Sequence, residues 1–177
     1  MLRLTSKFIG SLNKLEAVYW IFLEMHNVLG FYASKTDNSF FRFHLKSAYD
    51  KLDKWIKILG VELKNYGLSL DIKPSQDQIV RAAGLNPFKV INELWKSLDE
   101  LVNNPSEALL GKPPLFSKVL TVYADAAEVA VEAIEDYKTQ LIRLDSDETK
   151  RLIPVLGKIA EDLRQMILSH RRIAKTF

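Results

Sequence analysis

The amino-acid sequence predicts an all-α fold: a four-helix bundle of two long helical hairpins (6–67 and 115–175), joined by a long crossover that holds short helices of its own. Two observations carry this. Four long segments repeat apolar residues at alternating steps of three and four, the spacing of one helix face. The helix breakers crowd into one central stretch: Pro74, Gly84, Pro87, Pro105, Gly111, Pro113 and Pro114 all fall in 68–114, and only Pro154 among the prolines lies outside it. The 177 residues fit a single domain. A chain this size buries roughly 70% of its unfolded surface and needs no metal or disulfide staple.

The first helix is expected from Ser6 to Ala33. Leu12, Leu15, Tyr19, Phe22, His26, Leu29 and Ala33 form its main stripe. Val18, Trp20, Ile21, Leu23 and Met25 widen the apolar surface well past one stripe, so this helix must meet neighbours on two sides, inside the bundle or across a subunit interface. After a polar turn (Ser34 to Ser39), a second helix carries Leu45, Tyr49, Leu52, Ile56, Leu59 and Leu63. Asn38 or Ser39 is placed to cap it, and Gly67 to end it. Two short helices fit in the crossover. One spans Ser75 to Ala83 and opens with the capping box Ser75-x-x-Gln78; the other spans Pro87 to Val102, with proline in its first turn. The third long helix, Leu115 to Leu144, has the stripe Val119, Tyr123, Ala126, Ala130, Ala133, Tyr137 and Leu141, whose small residues let a neighbour approach closely. The fourth is opened by a box of Asp145 and Glu148 and carries Leu152, Ile159, Leu163, Met166, His170 and Ile173, with Pro154 set to kink it or disturb its first turn.

Composition excludes several classes of function. There is no cysteine, hence no disulfide, thiolate metal site or cysteine nucleophile. The most apolar run, Val18 to Leu23, is far short of the ~20 residues of a membrane span, and the first residues do not read as a secretory signal. A cytoplasmic protein without membrane contact or cofactor is expected. The net charge of +3 is a mild basic bias. No nucleotide-binding glycine loop, catalytic serine signature or metal-ligand histidine cluster occurs.

Four stretches resemble the ferritin-like proteins: Leu12-Asn13-Lys14-Leu15-Glu16-Ala17, Ile56-Lys57-Ile58-Leu59-Gly60, Glu132-Ala133-Ile134-Glu135-Asp136-Tyr137, and Val155-Leu156-Gly157-Lys158-Ile159-Ala160-Glu161-Asp162. The resemblance covers the hairpins and leaves the crossover unmatched. It implies the ferritin-like order of helices, with one long crossover. It also implies a place for a di-metal centre, with Glu16 at the first-helix ligand position. Such a centre needs an inward Glu-x-x-His on two helices. Aligned on these stretches, the chain has Ala48 and Lys51 on the second helix and Leu163 and Met166 on the fourth, and it contains no Glu-x-x-His. The remaining metal candidates are Glu16, His26 and Glu132. His26 with Asp53 resembles the inter-subunit iron site of the Dps branch, but Lys57 stands where that site's next carboxylate belongs. The alternative for His26 is a hydrogen-bonded histidine of the core stripe. For Glu132, on the face shared by Asp125, Glu128, Glu135 and Thr139, the alternative is a solvated acidic face.

Two other readings start from the last helix. Arg164 and His170 resemble the Arg–His motif of HEPN-type ribonucleases, which implies metal-free RNA cleavage across a dimer, with Arg holding phosphate charge and His moving a proton. Residues six apart on a helix point ~120° apart, however, and Arg171 and Arg172 stand where that family often has a tyrosine after its His. Arg164, Arg171, Arg172 and Lys175 together make the helix basic, which suits contact with phosphates of a nucleic acid or with an acidic partner. The alternative is that these charges are solvated, or pair with the acidic face of the third helix. The reading that joins these observations is a non-catalytic structural or interaction bundle without a di-metal centre, self-associating into a homo-oligomer through the first helix; the alternative is the ribonuclease.

Overall fold

A computed structural model describes residues 6–35, 39–103 and 114–176. Those residues form six helices and no strand: α1 (Ser6–Ala33), α2 (Ser39–Asn65), α3 (Gln76–Ala83), α4 (Phe88–Val102), α5 (Pro114–Leu144) and α6 (Asp147–Ala174). All six expected helices are present, within a residue or two of the expected ends. Of the candidate caps of α2, Asn38 lies outside the described residues, as do Pro105, Gly111 and Pro113.

Local chemistry sets the helix ends. Gly67 terminates α2 through a left-handed φ of 86°. Its amide donates to the Lys64 carbonyl (2.9 Å) and that of Leu68 to the Leu63 carbonyl (3.1 Å), the paired bonds of a Schellman motif. Ser75 and Gln78 form the expected capping box of α3. At α4 the side-chain acceptor is Asn86, whose Oδ1 receives the Phe88 amide at 3.1 Å. The box that opens α6 differs from expectation. It consists of Ser146 and Thr149, not Asp145 and Glu148. Asp145 takes a left-handed φ of 44°, which turns the chain out of α5 and leaves the extended cap conformation to Ser146. Glu148 is instead buried, close enough to influence the Tyr66 hydroxyl. Pro154 lies inside α6, where it withholds an amide from the Lys150 carbonyl.

The helices pack around α1. Its hairpin partner α2 runs antiparallel to it, shown by Phe8 against Tyr66 at one end and Gly30 against Tyr49 towards the other. At Gly30 a Cβ would come within 2.8 Å of the Tyr49 ring, so a larger residue there would have to displace that ring. Helices α5 and α6 form the second antiparallel hairpin. Ser117, near the start of α5, donates to the Ala174 carbonyl at the end of α6 (2.8 Å). The hairpins meet chiefly where α1 lies antiparallel to α5, with Ser11 hydrogen-bonded to Tyr137 at 3.3 Å. Ser11 donates to the Phe8 carbonyl, so Tyr137 is the donor between them, and burial pushes its hydroxyl pKa up to about 12.

The crossover zigzags along the other side of α1. From the end of α2 it climbs to Lys73, which pairs with Glu24 at 2.8 Å. Helix α3 then descends along α1 to Gly84, beside Lys14. Helix α4 climbs again between α1 and α5, where Tyr32 donates to Asp99, Trp95 packs on Tyr32, and Lys118 pairs with Glu100. The chain thereby returns to the end at which α5 begins. Ile79 and Ala83 of α3 and Ile91, Leu94 and Leu98 of α4 are all buried and belong to the same core as Leu15, Ile21 and Met25 of α1. The second side of α1 is therefore covered by its own chain. The expected self-association rested on that side being open, and the structure withdraws this basis for it. No helix among the described residues is long and apolar enough to cross a membrane.

If α4 is part of the core, Leu94→Ala lowers the stability of the whole chain by about 2–5 kcal/mol in one cooperative urea transition; a separate early transition confined to the crossover would contradict this. Gly67→Ala forces a Cβ into the left-handed region and costs about 1–2 kcal/mol by the same measurement.

Candidate functional site

The metal candidates do not converge. Glu16 is half-buried beneath α3 and accepts a bond from Trp20 Nε1 at 3.3 Å. Glu132 is exposed on α5. His26 stacks on Tyr49, with ring centroids 3.8 Å apart, and its Nε2 lies 3.4 Å from Asp53, an electrostatic contact longer than an ordinary hydrogen bond. The same carboxylate receives Lys57 at 2.8 Å. That ammonium holds the Asp53 carboxyl below its usual range and occupies the position where a cation would sit. Burial lowers the His26 pKa against the opposing pull of Asp53. Among the described residues no group of three or more His, Asp or Glu side chains is placed to hold a metal ion.

Arg164 and His170 do not share a site within the chain. Arg164 is exposed and donates to Glu135 of α5 at 2.9 Å. His170 is 8% exposed and turned into the core. Its Nδ1 lies 2.8 Å from the Met166 carbonyl; a carbonyl can only accept, so Nδ1 carries the proton and Nε2 is the basic nitrogen. Within one chain, then, His170 is enclosed while Arg164 lies at the surface paired with Glu135.

The basic cluster of α6 divides in the same way. Arg171 spans two α5 carboxylates, Asp125 (3.2 Å) and Glu128. With Arg164 and Glu135 this makes a ladder across the α5–α6 seam that pairs two of the cluster's four cations with carboxylates of α5. Arg172 and Lys175 remain exposed beyond it.

The most unusual interior feature is one that no sequence motif announces. His44 of α2 and His170 of α6 line a cavity of about 10 Å³, together with Tyr123 and apolar side chains including Leu29, Ala48 and Val119. All four long helices contribute to it. Its size is about that of a single water. Tyr123 lies 5.2 Å from His170, and its hydroxyl approaches the Met166 sulfur at 3.6 Å; burial raises its pKa. Burial lowers the pKa of both histidines, and His170 is depressed further by the neighbouring charges of His44 and Lys51, against the bond to Met166. The signal missed in the sequence was positional. His44 lies one residue before Leu45 of the α2 stripe with its ring 5.6 Å from that of Phe43, and only assembly of the other helices brings Tyr123 and His170 to it.

Protein-family models, curated proteins and solved structures contain no match to this chain.

The depressed histidines make stability depend on acid. In the unfolded chain histidine takes up its proton near the ordinary value of 6.5, while folded His170 resists until lower pH. Unfolding free energy is thus flat above that value and falls as pH drops from 6.5 towards the folded pKa, by at most about 1.4 kcal/mol per pH unit for each histidine. Urea titrations across this range are expected to show a shallower decline for His170→Leu than for wild type; an unchanged slope would remove His170 from the account.

Proposed function

We propose that this chain is a ferritin-like four-helix bundle without a di-metal centre, serving as a non-catalytic structural or interaction protein. The single observation that carries the reading concerns the interior positions where the resemblance puts metal ligands. Ala48, Leu163 and Met166 are buried there as packing residues, and Lys51 points to solvent. Carboxylates and histidines at such positions would hold ions; alanine, leucine and methionine fill volume. The helix order supports the ferritin-like part of the reading. Two antiparallel hairpins are joined by a crossover that runs from one end of the molecule to the other, and α3 and α4 make that crossover a layer of the core. Because α1 is covered within the chain, a partner or a second copy meets outer faces such as those of α2 and α6.

Elemental analysis of purified protein tests this. The expected result is no stoichiometric iron, manganese or zinc, and a melting temperature indifferent to ferrous iron and to chelator. A metal bound in place at 100 times its Kd would add about 2.7 kcal/mol, roughly 5–10 °C for a chain of this length. A stoichiometric metal or a shift of that size would overturn the reading.

A further inference from the structure

We propose that the outer face of α2 is a binding surface for single-stranded nucleic acid, with Phe43 as a stacking platform and Lys46, Lys51 and Lys54 as phosphate contacts. This goes beyond the metal-free reading and does not rest on it.

The face consists of two adjacent ridges of the helix. Phe43, Ser47 and Lys51 follow one another at steps of four, and Lys46, Asp50 and Lys54 do the same beside them. All six residues are exposed, and they line one shallow concavity of about 560 Å³. Phe43 has 68% of its surface in water, a large apolar ring left outside a chain that covers even the second side of α1. Its neighbours are cationic. Lys46 pairs loosely with Asp50 at 3.6 Å, both side chains being mostly exposed, so the pair holds little energy and opens readily. No carboxylate of the described residues lies within ion-pair distance of Lys51 or Lys54. Lys54 rests over the Trp55 ring at 4.8 Å, which steadies its ammonium without neutralising it. From Lys46 to Lys54 the cations extend over about 12 Å of helix.

The contrast with α6 locates the charge. Arg164 and Arg171 are engaged by Glu135, Asp125 and Glu128. Arg172 and Lys175 stay exposed and Lys35 lies over the half-exposed Phe31 ring at 3.9 Å, but on α2 an exposed ring and three lysines share one concavity. Lysines are point charges that meet phosphates from many directions. One ring among cations offers a base a surface to stack on, which every base can use. It does not offer the apolar groove that an amphipathic peptide helix needs, nor the broad apolar face with which a helix enters a lipid interface.

Fluorescence anisotropy of a labelled oligothymidylate tests the proposal, with the full chain and with variants whose circular dichroism and melting temperature match wild type. Wild type should bind with a strong salt dependence. Lys51→Glu with Lys54→Glu should weaken binding at least tenfold and make the slope of log K against log salt shallower by roughly 0.7 for each phosphate no longer neutralised. Phe43→Ala should weaken it roughly fivefold or more, and Phe43→Trp should restore it. Arg172→Glu, on α6, should have little effect. The proposal fails if wild type does not bind the oligonucleotide, or if Arg172→Glu weakens binding while the α2 variants do not. It also fails if Phe43→Ala binds like wild type and polyglutamate competes as well as nucleic acid, which would mark a generic polyanion surface. Binding to phosphatidylserine vesicles but not to the oligonucleotide would overturn it in favour of a membrane.

Discussion

A helix that is apolar on nearly every side cannot face water, and the architecture answers that constraint on α1. Phe8, Leu12, Leu15, Val18, Ile21, Phe22, Met25, Val28 and Leu29 are all essentially inaccessible, and no single neighbour could cover residues that point in so many directions. The chain covers them with α2 on one side, α5 on another, and the crossover helices α3 and α4 on the rest. Each such side chain contributes about 1.5–3 kcal/mol when fully buried, so the crossover is held by the same force that holds the hairpins. The alanines of α5 serve the same end. Ala124, Ala126, Ala127, Ala130 and Ala133 are buried, which lets α5 lie close to its neighbours.

Once α1 is enclosed, polar groups in the interior have restricted options. Tyr137 bonds to Ser11, Tyr32 to Asp99, and His170 to its own helix at Met166. These bonds tie helices together or satisfy a buried group; none assembles reactive groups around an accessible space. The α5–α6 ladder uses up charge that in sequence looks available for ligands. The outer side of α2 keeps an exposed ring among lysines in contact with water, whereas the interior offers packing.

Much of this fold was legible because its signals are local. The capping box at Ser75, the Schellman turn at Gly67 and the stripes of all four long helices follow from residues within a turn or two of each other. The width of the apolar surface on α1 announced a second neighbour. That the neighbour is the crossover depends on where α3 and α4 dock, and their sequences do not specify it. The cap of α6 lies one residue beyond its expected place because two overlapping cap patterns are present, and backbone conformation at Asp145 chooses between them. Site residues were less legible for a related reason. Spacing along α6 places Arg164 and His170 on different sides, but only packing shows that one is paired and the other enclosed. His44 meets Tyr123 and His170 only once the other helices assemble, so its sequence neighbours do not announce that cavity.

Native-state hydrogen exchange, followed for the amides of α1 at two protein concentrations a hundredfold apart, bears most directly on the enclosure of α1 by its own chain. Amides from Leu15 to Leu29 should exchange only through global unfolding, with the same protection at both concentrations. Protection of α1 that rose with concentration would show a second molecule supplying the cover, and the crossover would not then be what shields α1 from water.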